Sequence, residues 1–241
     1  WIGLGPLSIQ PSEVIKLAMV LLIAYILSRN PHQVKSFRRG ILPILGLLGM
    51  VAALIMLQPD LGTTMVVAGT TFFMLIAAGA RASHLAGLGA LGVGLLVAAI
   101  IAEPYRMNRI FAFLDPWADP LGKGFQTIQA LLALGPGGLF GLGLGQSRQK
   151  FLYLPENHTD FIFAMIGEEL GFVGGTLVIL LFFLVAWRGY RTAMLAPNVF
   201  LGLLAVGLTS VIIIQAMINM RVVPGILPVT GITLPFLSYG G

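Results

Sequence analysis

The sequence lacks cysteine altogether and is poor in charged residues. Its 241 residues contain no Cys, and Asp, Glu, Lys and Arg together make up 10% of the chain, compared with about 25% in a typical soluble domain. Without cysteine the chain has no disulfide framework, no thiolate nucleophile and no Cys-ligated metal. It also lacks a basic run interleaved with aromatic residues, which argues against a nucleic-acid partner.

Hydrophobic residues are abundant instead. They make up 57% of the chain, the mean hydropathy is +0.95, and apolar stretches of roughly 15 to 25 residues alternate with short polar links. Lipid leaves backbone groups only internal partners, so helices are expected to span. The sequence therefore predicts an all-α, polytopic transmembrane bundle, a single membrane domain with spans near residues 12–27, 41–57, 64–80, 85–102, 161–187 and 199–218.

The basic residues predict which links are cytoplasmic, because Lys and Arg concentrate in cytoplasmic loops of membrane proteins. The link after the first span holds Arg29, Lys35, Arg38 and Arg39 without an acid, and Arg188 with Arg191 follows the fifth span. The alternation of sides then makes residues 103–160 one large extracellular loop and residues 221–241 an outer, re-entrant-like loop. An apolar run at 125–134 is too short to span and predicts an interfacial or re-entrant helix.

All nine acidic residues lie in the predicted outer loops or the outer halves of spans. Such a face suits a lipid-linked headgroup. Glu13 and Lys16, three residues apart on the first span, share a helix face. They are either a structural ion pair, or Lys16 offers its charge to a phosphate while Glu13 orients it.

Three further groups of polar residues have a structural interpretation, and the second group also has a functional one. Asp60 follows Pro59 and is placed to cap the third span. Arg106 and Arg109 have guanidinium forks that suit phosphate oxygens, or else bind lipid headgroups or the nearby acids. Those acids, in Asp115-Pro116 and Asp119-Pro120, are expected to fix the loop as a turn pair.

The densest polar group precedes the fifth span and contains Glu156, His158 and Asp160. Metal binding by these side chains alone is disfavoured, whereas hydrated Mg²⁺ bridging a substrate pyrophosphate needs fewer protein ligands. Asp160 is placed to cap the helix, which favours its ionised form and weakens it as a base. Partial burial and the neighbouring Glu156 act in the opposite direction.

Glycine spacing predicts structure in two regions of the chain. The glycines between residues 135 and 145 fit no phosphate-loop pattern and predict a tight loop near the membrane surface. Gly167 and Gly171 flank Glu168 and Glu169, about 12 Å into the fifth span, and predict a close helix contact. Gln215 and Asn219, four residues apart on the last span, are candidates for hydrogen bonds across such a contact.

Several short motifs in fixed order resemble the SEDS family of shape, elongation, division and sporulation proteins. They cover nearly the whole chain: Gln10-Pro11-Ser12-Glu13 with Lys16, Gln58-Pro59-Asp60-Leu61-Gly62-Thr63, Asp115-Pro116 with Asp119-Pro120, residues 154–164, Gly167-Glu168-Glu169-Leu170-Gly171, and Thr233-Leu234-Pro235 with Ser238-Tyr239-Gly240-Gly241. Residues 145–156 look more like the division and sporulation branch than the rod-shape branch. The resemblance implies a longer bundle, with about three spans before Trp1 and one after Gly241.

The resemblance also implies an activity, a location and partners. Family members polymerise lipid II into peptidoglycan at the outer face of the bacterial cytoplasmic membrane, together with a class B penicillin-binding protein and other division or elongation proteins. Asp160 matches the catalytic aspartate of the family, and Glu13 with Lys16 matches a functionally important pair. Residues 103–160 match the large extracellular loop.

The mechanism expected from this match is glycosyl transfer with inversion. Asp160 would act as general base on the acceptor's 4-hydroxyl, and polyprenyl pyrophosphate would leave. The residues expected to bind substrate or stabilise the pyrophosphate, with or without Mg²⁺ or Mn²⁺, are Lys16, Glu13, Arg106, Arg109, Arg148, Lys150, Asp60 and His158. Two alternatives are a lipid II flippase and a noncatalytic scaffold for a transpeptidase.

Overall fold

The computed structural model describes residues 2–4, 7–143, 145–146 and 161–238. This part of the chain contains a two-stranded antiparallel hairpin, β1 (Ile2–Leu4) and β2 (Leu7–Ile9), and is otherwise helical. Its α-helices are α1 (Pro11–Arg29), α2 (Leu42–Met56), α3 (Leu61–Ala77), α4 (Ala82–Ile101), α5 (Pro104–Leu114), α6 (Phe125–Gly137), α7 (Ile162–Met194) and α8 (Val199–Val222). Short 3-10 turns lie at Pro31–Lys35 and Pro116–Ala118, and a π turn at Phe37–Ile41 leads into α2.

Five helical segments in the described residues are long and apolar enough to cross a membrane. They are α1, the π turn with α2, α4, α7 and α8, while α3 is a shorter apolar helix of 17 residues. The all-α, multi-pass membrane class predicted from composition is therefore confirmed. A helix also occupies each of the six segments expected to span.

Helix α1 shows why these helices belong in lipid. Its buried side includes Met19, Ile23 and Leu27, at helical spacing. Its exposed side is apolar as well, with Val14 and Leu21 about half exposed. A helix with apolar residues all round is expected in a membrane rather than at a water-facing surface.

The chain divides into two compact units, and the first comprises Trp1–Leu91 and Val185–Ile214. Its core forms where α1 and α3 meet α8 at Gly207. A Cβ added at Gly207 would collide with Val20 of α1 and would lie 2.9 Å from Sδ of Met74 in α3. Glycine is therefore required for this close approach, which packs the three helices together.

The second unit comprises Gly92–Leu184 and Gln215–Gly241. The segment after α4, expected as a loop with one helix near 125–134, contains two. Helix α6 includes that run and extends to Gly137, and α5 was not predicted. Helix α5 begins with Pro104 directly after Glu103, where a proline at the first helical position lacks only an N–H that would be unpaired anyway.

Helix α7 is interrupted at Gly171, whose φ of 66° and ψ of −162° are not helical. The backbone groups released at the break bond to residues 138–143. The carbonyls of Glu168 and Glu169 accept from the N–H groups of Leu142 and Gly143, both at 3.0 Å, and the next turn donates Phe172 N–H to Gly138 O at 2.9 Å. Backbone groups within a membrane must find internal partners, and this segment supplies them.

The glycines at the break approach both a helix and a loop. Gly167 lies against Leu134 and Gly137 of α6, which is the expected close helix contact. Bare backbone is also needed between the break and the segment after α6, because a Cβ at Gly171 would collide with Gly141 N, and one at Gly141 would collide with Glu169 O. Gly141 and Gly171 therefore allow the loop to pack against the broken helix.

The polar side chains of α8 hold the segment after that helix. Asn219 Nδ2 donates to Ile232 O at 2.7 Å, and Gln215 Nε2 donates to Thr233 O at 3.3 Å. The acceptors of these two bonds lie on irregular chain after α8. Buried backbone carbonyls need partners, and the two amides provide them where no helix does.

Candidate functional site

Helix α5 carries the two arginines predicted to bind phosphate, and they have different surroundings. Arg106 Nη1 donates a hydrogen bond to Ala99 O at 2.7 Å, in the last turn of α4. The last carbonyls of a helix have no intrahelical donor, and a basic side chain commonly satisfies them. Arg106 therefore caps the end of α4.

Arg109 lies one turn further along α5 and joins it to the segment after α8. Its Nη1 donates to Val229 O at 2.8 Å, and its Nη2 contacts the Tyr105 hydroxyl. The guanidinium carbon also lies 4.5 Å from the centroid of the Tyr105 ring, which is a cation–π distance. All of these partners are electrically neutral, so none neutralises the charge of Arg109.

A cavity of about 460 Å³ lies beside Arg109, within the size range of small-molecule sites. The residues at its wall are Tyr105, Asn108, Arg109, Ala112, Leu121, Gly122, Lys123, Phe125, Gln126, Thr127 and Val229. Among these described residues are two cations and no acid. The cavity lies wholly within the second unit and is bounded by α5, the start of α6 and the segment after α8.

Lys123 supplies the second cation of this cavity. Its Nζ donates to Asn108 Oδ1 at 3.0 Å. Asn108 precedes Arg109 on α5. The backbone N–H of Lys123 donates to Asp119 Oδ2 at 3.0 Å. Asp119 thus fixes the loop, as predicted for the Asp-Pro turns. Its carboxylate also holds the backbone of Lys123.

Glycines flank Lys123 on both sides in the same loop. A Cβ at Gly122 would collide with the Asp119 carboxylate, and one at Gly124 would collide with Pro116 O. The chain between Pro116 and α6 is therefore folded back tightly on itself. This packing holds Lys123 next to α5.

Within the described residues, the one ion pair is in the first unit. Lys16 Nζ lies 2.7 Å from Glu13 Oε2, as the spacing of the two residues predicted. The exposed fractions of the side chains are 4% for Lys16 and 45% for Glu13. Lys16 is therefore held in the interior, and Glu13 is the accessible member of the pair.

Asp60 caps α3. Its Oδ1 accepts the backbone N–H of Thr63 at 2.8 Å, and its carbonyl accepts the Thr64 hydroxyl at 2.9 Å. A side chain that accepts from the third residue of a helix is the usual N-cap arrangement. The capping reading of Asp60 is thus observed directly.

The remaining predicted residues lie outside the described part of the chain. They are Arg148, Lys150, Glu156, His158 and Asp160. The positioned candidates are Glu13, Lys16 and Asp60 in the first unit and Arg106 with Arg109 in the second.

Sequence reasoning missed Lys123 and Asn108. Lys123 stood alone between two Asp-Pro turns and an apolar run, and Asn108 lay in a segment read as loop. The signal that identifies them is the start of α5, since Pro104 as first helical residue places Tyr105, Asn108 and Arg109 on one face.

The described residues contain no group of three His, Asp or Glu side chains that could hold a metal ion.

The chain is similar to known proteins along its whole length. The chain is 57% identical over 241 residues to stage V sporulation protein E of Bacillus subtilis and 43% identical to a protein of Geobacter sp. (strain M18) named as a probable peptidoglycan glycosyltransferase, FtsW. It covers 66% of each, so it spans just under two thirds of their length. It also matches a chain of a solved peptidoglycan synthase complex, described as structurally coordinating polymerization and crosslinking, at a TM-score of 0.77 and 35% identity, covering 100% of this chain and 67% of that one.

The spanning helices define a multi-pass, α-helical membrane protein. Its family follows from the match of residues 1–241 to the cell cycle protein family FtsW/RodA/SpoVE. The chain belongs to this family, which confirms the resemblance found in its motifs. The sporulation and FtsW relatives agree with the branch that residues 145–156 indicated.

Proposed function

We propose that the protein is a peptidoglycan glycosyltransferase that polymerises lipid II at the outer face of the bacterial cytoplasmic membrane during division or sporulation. The observation that carries this proposal is the match along the whole chain to relatives named for this activity. The cavity beside Arg109 adds support, because a lipid-linked pyrophosphate needs cations that are not already neutralised.

The proposed reaction forms one glycosidic bond and breaks one sugar–phosphate bond. The 4-hydroxyl of the acceptor's N-acetylglucosamine attacks the anomeric carbon of the donor chain. Asp160 accepts the hydroxyl proton, the donor's configuration inverts, and the bonding electrons leave with polyprenyl pyrophosphate. General base catalysis of this kind contributes about 10²- to 10⁴-fold to the rate.

The cations of the chain have different parts in this proposal. Arg109 borders the cavity and bonds only to neutral groups, so its charge can act on the leaving pyrophosphate. Arg106 combines its cap on α4 with a position one turn away, and Arg148, Lys150 and His158 adjoin Asp160 in sequence. Mg²⁺ or Mn²⁺ would add positive charge at the leaving pyrophosphate, and no step depends on it.

The charged residues of the first unit are proposed to support the substrate site through structure. The buried ammonium of Lys16 orients Glu13, whose accessible carboxylate is the part of the pair that substrate can meet. Asp60 contributes by fixing the start of α3. A class B penicillin-binding protein is the proposed partner, consistent with the crosslinking described for the similar synthase complex.

Substitution of Asp160 tests the reaction. In the purified full-length protein, Asp160→Asn should reduce lipid II polymerisation at least about 100-fold, with an unchanged melting temperature, because the side chain keeps its size. Asp119→Asn, at a carboxylate that holds a turn, is the matched control and should keep most of the activity. Full polymerisation by a folded Asp160→Asn protein would contradict the proposal.

One observation favours the alternative of a lipid II flippase, namely the break in α7 next to buried Glu168. Discontinuous helices form substrate sites in many transporters. Here, however, the N–H groups exposed by the break already donate to the carbonyls of Gly138 and Leu139. Translocation of lipid II in vesicles without polymer formation would establish the alternative.

A further inference from the structure

The cavity beside Arg109 has the composition of an anion site. Two cations, Arg109 and Lys123, are among its wall residues, and none of those residues is acidic. Neither cation forms an ion pair with a carboxylate in the part of the chain described. A concave surface with two charges left unneutralised attracts anions more strongly than a flat one, because the surrounding protein focuses their field.

The position of Lys123 is built by the fold. Its Nζ is held at 3.0 Å from Asn108 Oδ1, and its backbone is held by Asp119 Oδ2. Asn108 precedes Arg109 on α5, so this bond brings the ammonium to the helix that carries the guanidinium. The two cations therefore approach the cavity from different chain segments, α5 and the loop before α6.

The start of α6 adds a third favourable element to the same wall. Gln126 and Thr127 are in the first turn of this helix and line the cavity. The N–H groups of a first turn lack intrahelical acceptors, and the helix dipole favours negative charge there. Together with the amide of Gln126 and the hydroxyl of Thr127, they offer neutral donors beside the two cations.

We propose that this cavity is a diphosphate subsite, and that Lys123 is the residue that distinguishes a diphosphate from a monophosphate. This inference rests on the proposed function, which supplies a polyprenyl diphosphate as donor and as leaving group. A diphosphate carries more negative charge than a monophosphate and presents two linked anionic groups, so it can engage Arg109 and Lys123 together. Each charge-assisted hydrogen bond is stronger than a neutral one.

Direct binding to the full-length protein in nanodiscs of neutral lipid tests the subsite. The probes are a polyprenyl diphosphate and the matching polyprenyl monophosphate. Wild type should bind the diphosphate about tenfold more tightly, and Lys123→Ala should remove that preference by weakening diphosphate binding alone. Lys123→Arg should retain most of it, because the positive charge is kept. Lys35→Ala, which removes an exposed lysine from the basic link of the other unit, is the matched control and should change neither constant.

The possible outcomes separate this inference from the proposed function. If Lys123→Ala leaves diphosphate binding unchanged, or if Lys35→Ala weakens it equally, the subsite is wrong even where the protein polymerises lipid II. If wild type does not polymerise lipid II but shows the Lys123-dependent preference, the glycosyltransferase proposal fails alone. Equal weakening of both probes by Lys123→Ala would overturn the assignment, because it indicates general attraction of anions.

Turnover provides a second readout for Lys123. In lipid II polymerisation, Lys123→Ala should raise KM about tenfold with a smaller change in kcat, because ground-state binding of the diphosphate is lost. Adding anionic phospholipid to the nanodiscs should leave the wild-type KM unchanged. A KM that rises with anionic lipid would show that monophosphate headgroups compete for the cavity, and would overturn the proposed preference for a diphosphate.

Discussion

The two units of this protein satisfy their polar groups in different ways. In the first unit, Lys16 is paired with Glu13, and Asp60 caps the start of α3. In the second unit, charged side chains bond to neutral acceptors, and backbone groups bond to distant stretches of chain. Lys16, which has a carboxylate partner, is held in the interior of the first unit, whereas Arg109, whose partners are neutral, borders a cavity of the second unit.

The largest effect is expected from the break in α7, on which the second unit depends. Gly171→Ala places a Cβ against Gly141 N and forces alanine into a conformation that only glycine adopts easily. The expected loss of stability is about 3 kcal/mol or more. Gly175→Ala in the same helix is the control, because its Cβ would meet only Phe163 Cζ at 3.7 Å. Thermal unfolding in detergent measures both, and equal melting temperatures would contradict the close packing at the break.

A smaller effect is expected at the ion pair of the first unit. Glu13→Ala removes a carboxylate that lies 2.7 Å from the buried Lys16 ammonium. The expected cost is about 1–2 kcal/mol, less than for a fully buried pair, because Glu13 is partly exposed. Glu13→Gln keeps a hydrogen-bond acceptor and should cost less. Melting temperatures that do not differ from wild type would show that the pair does not support the fold.

The smallest loss of stability is expected from substitutions of Asp60. Two substitutions distinguish the capping role of this side chain from a role of its negative charge. Asp60→Ala should cost about 1 kcal/mol, whereas Asp60→Asn should be nearly neutral, because asparagine caps helices as well as aspartate does. If Asp60 only caps, Asp60→Asn also keeps polymerisation of lipid II. Normal stability with lost activity would instead assign the charge of Asp60 to the substrate site.

The membrane-spanning part of the fold was predictable because its signals are local. A run of apolar residues specifies a spanning helix by length alone, as for α4, and the i, i+3 spacing of Glu13 and Lys16 specifies their contact. The cap at Asp60 was likewise readable from Pro59 and Thr63. Each of these features depends on residues that are close together in sequence.

The second unit was less predictable because its contacts join residues far apart in sequence. Nothing near Arg109 indicates that its guanidinium bonds to Val229, 120 positions away. The glycines at 141 and 171 each suggested a close approach, but the sequence does not show that they approach each other. Lys123 was missed for the same reason, since its importance comes from Asn108 on another element.

The most direct test of the cavity's role compares the two arginines of α5, both in the second unit. Arg106 and Arg109 lie one turn apart, but Arg106 caps α4 and Arg109 borders the cavity. In the full-length protein, Arg109→Ala should raise the KM for lipid II about tenfold with a smaller fall in melting temperature than Arg106→Ala, whose KM should change less. A lower melting temperature for Arg109→Ala with an unchanged KM would contradict the account and assign Arg109 to the fold.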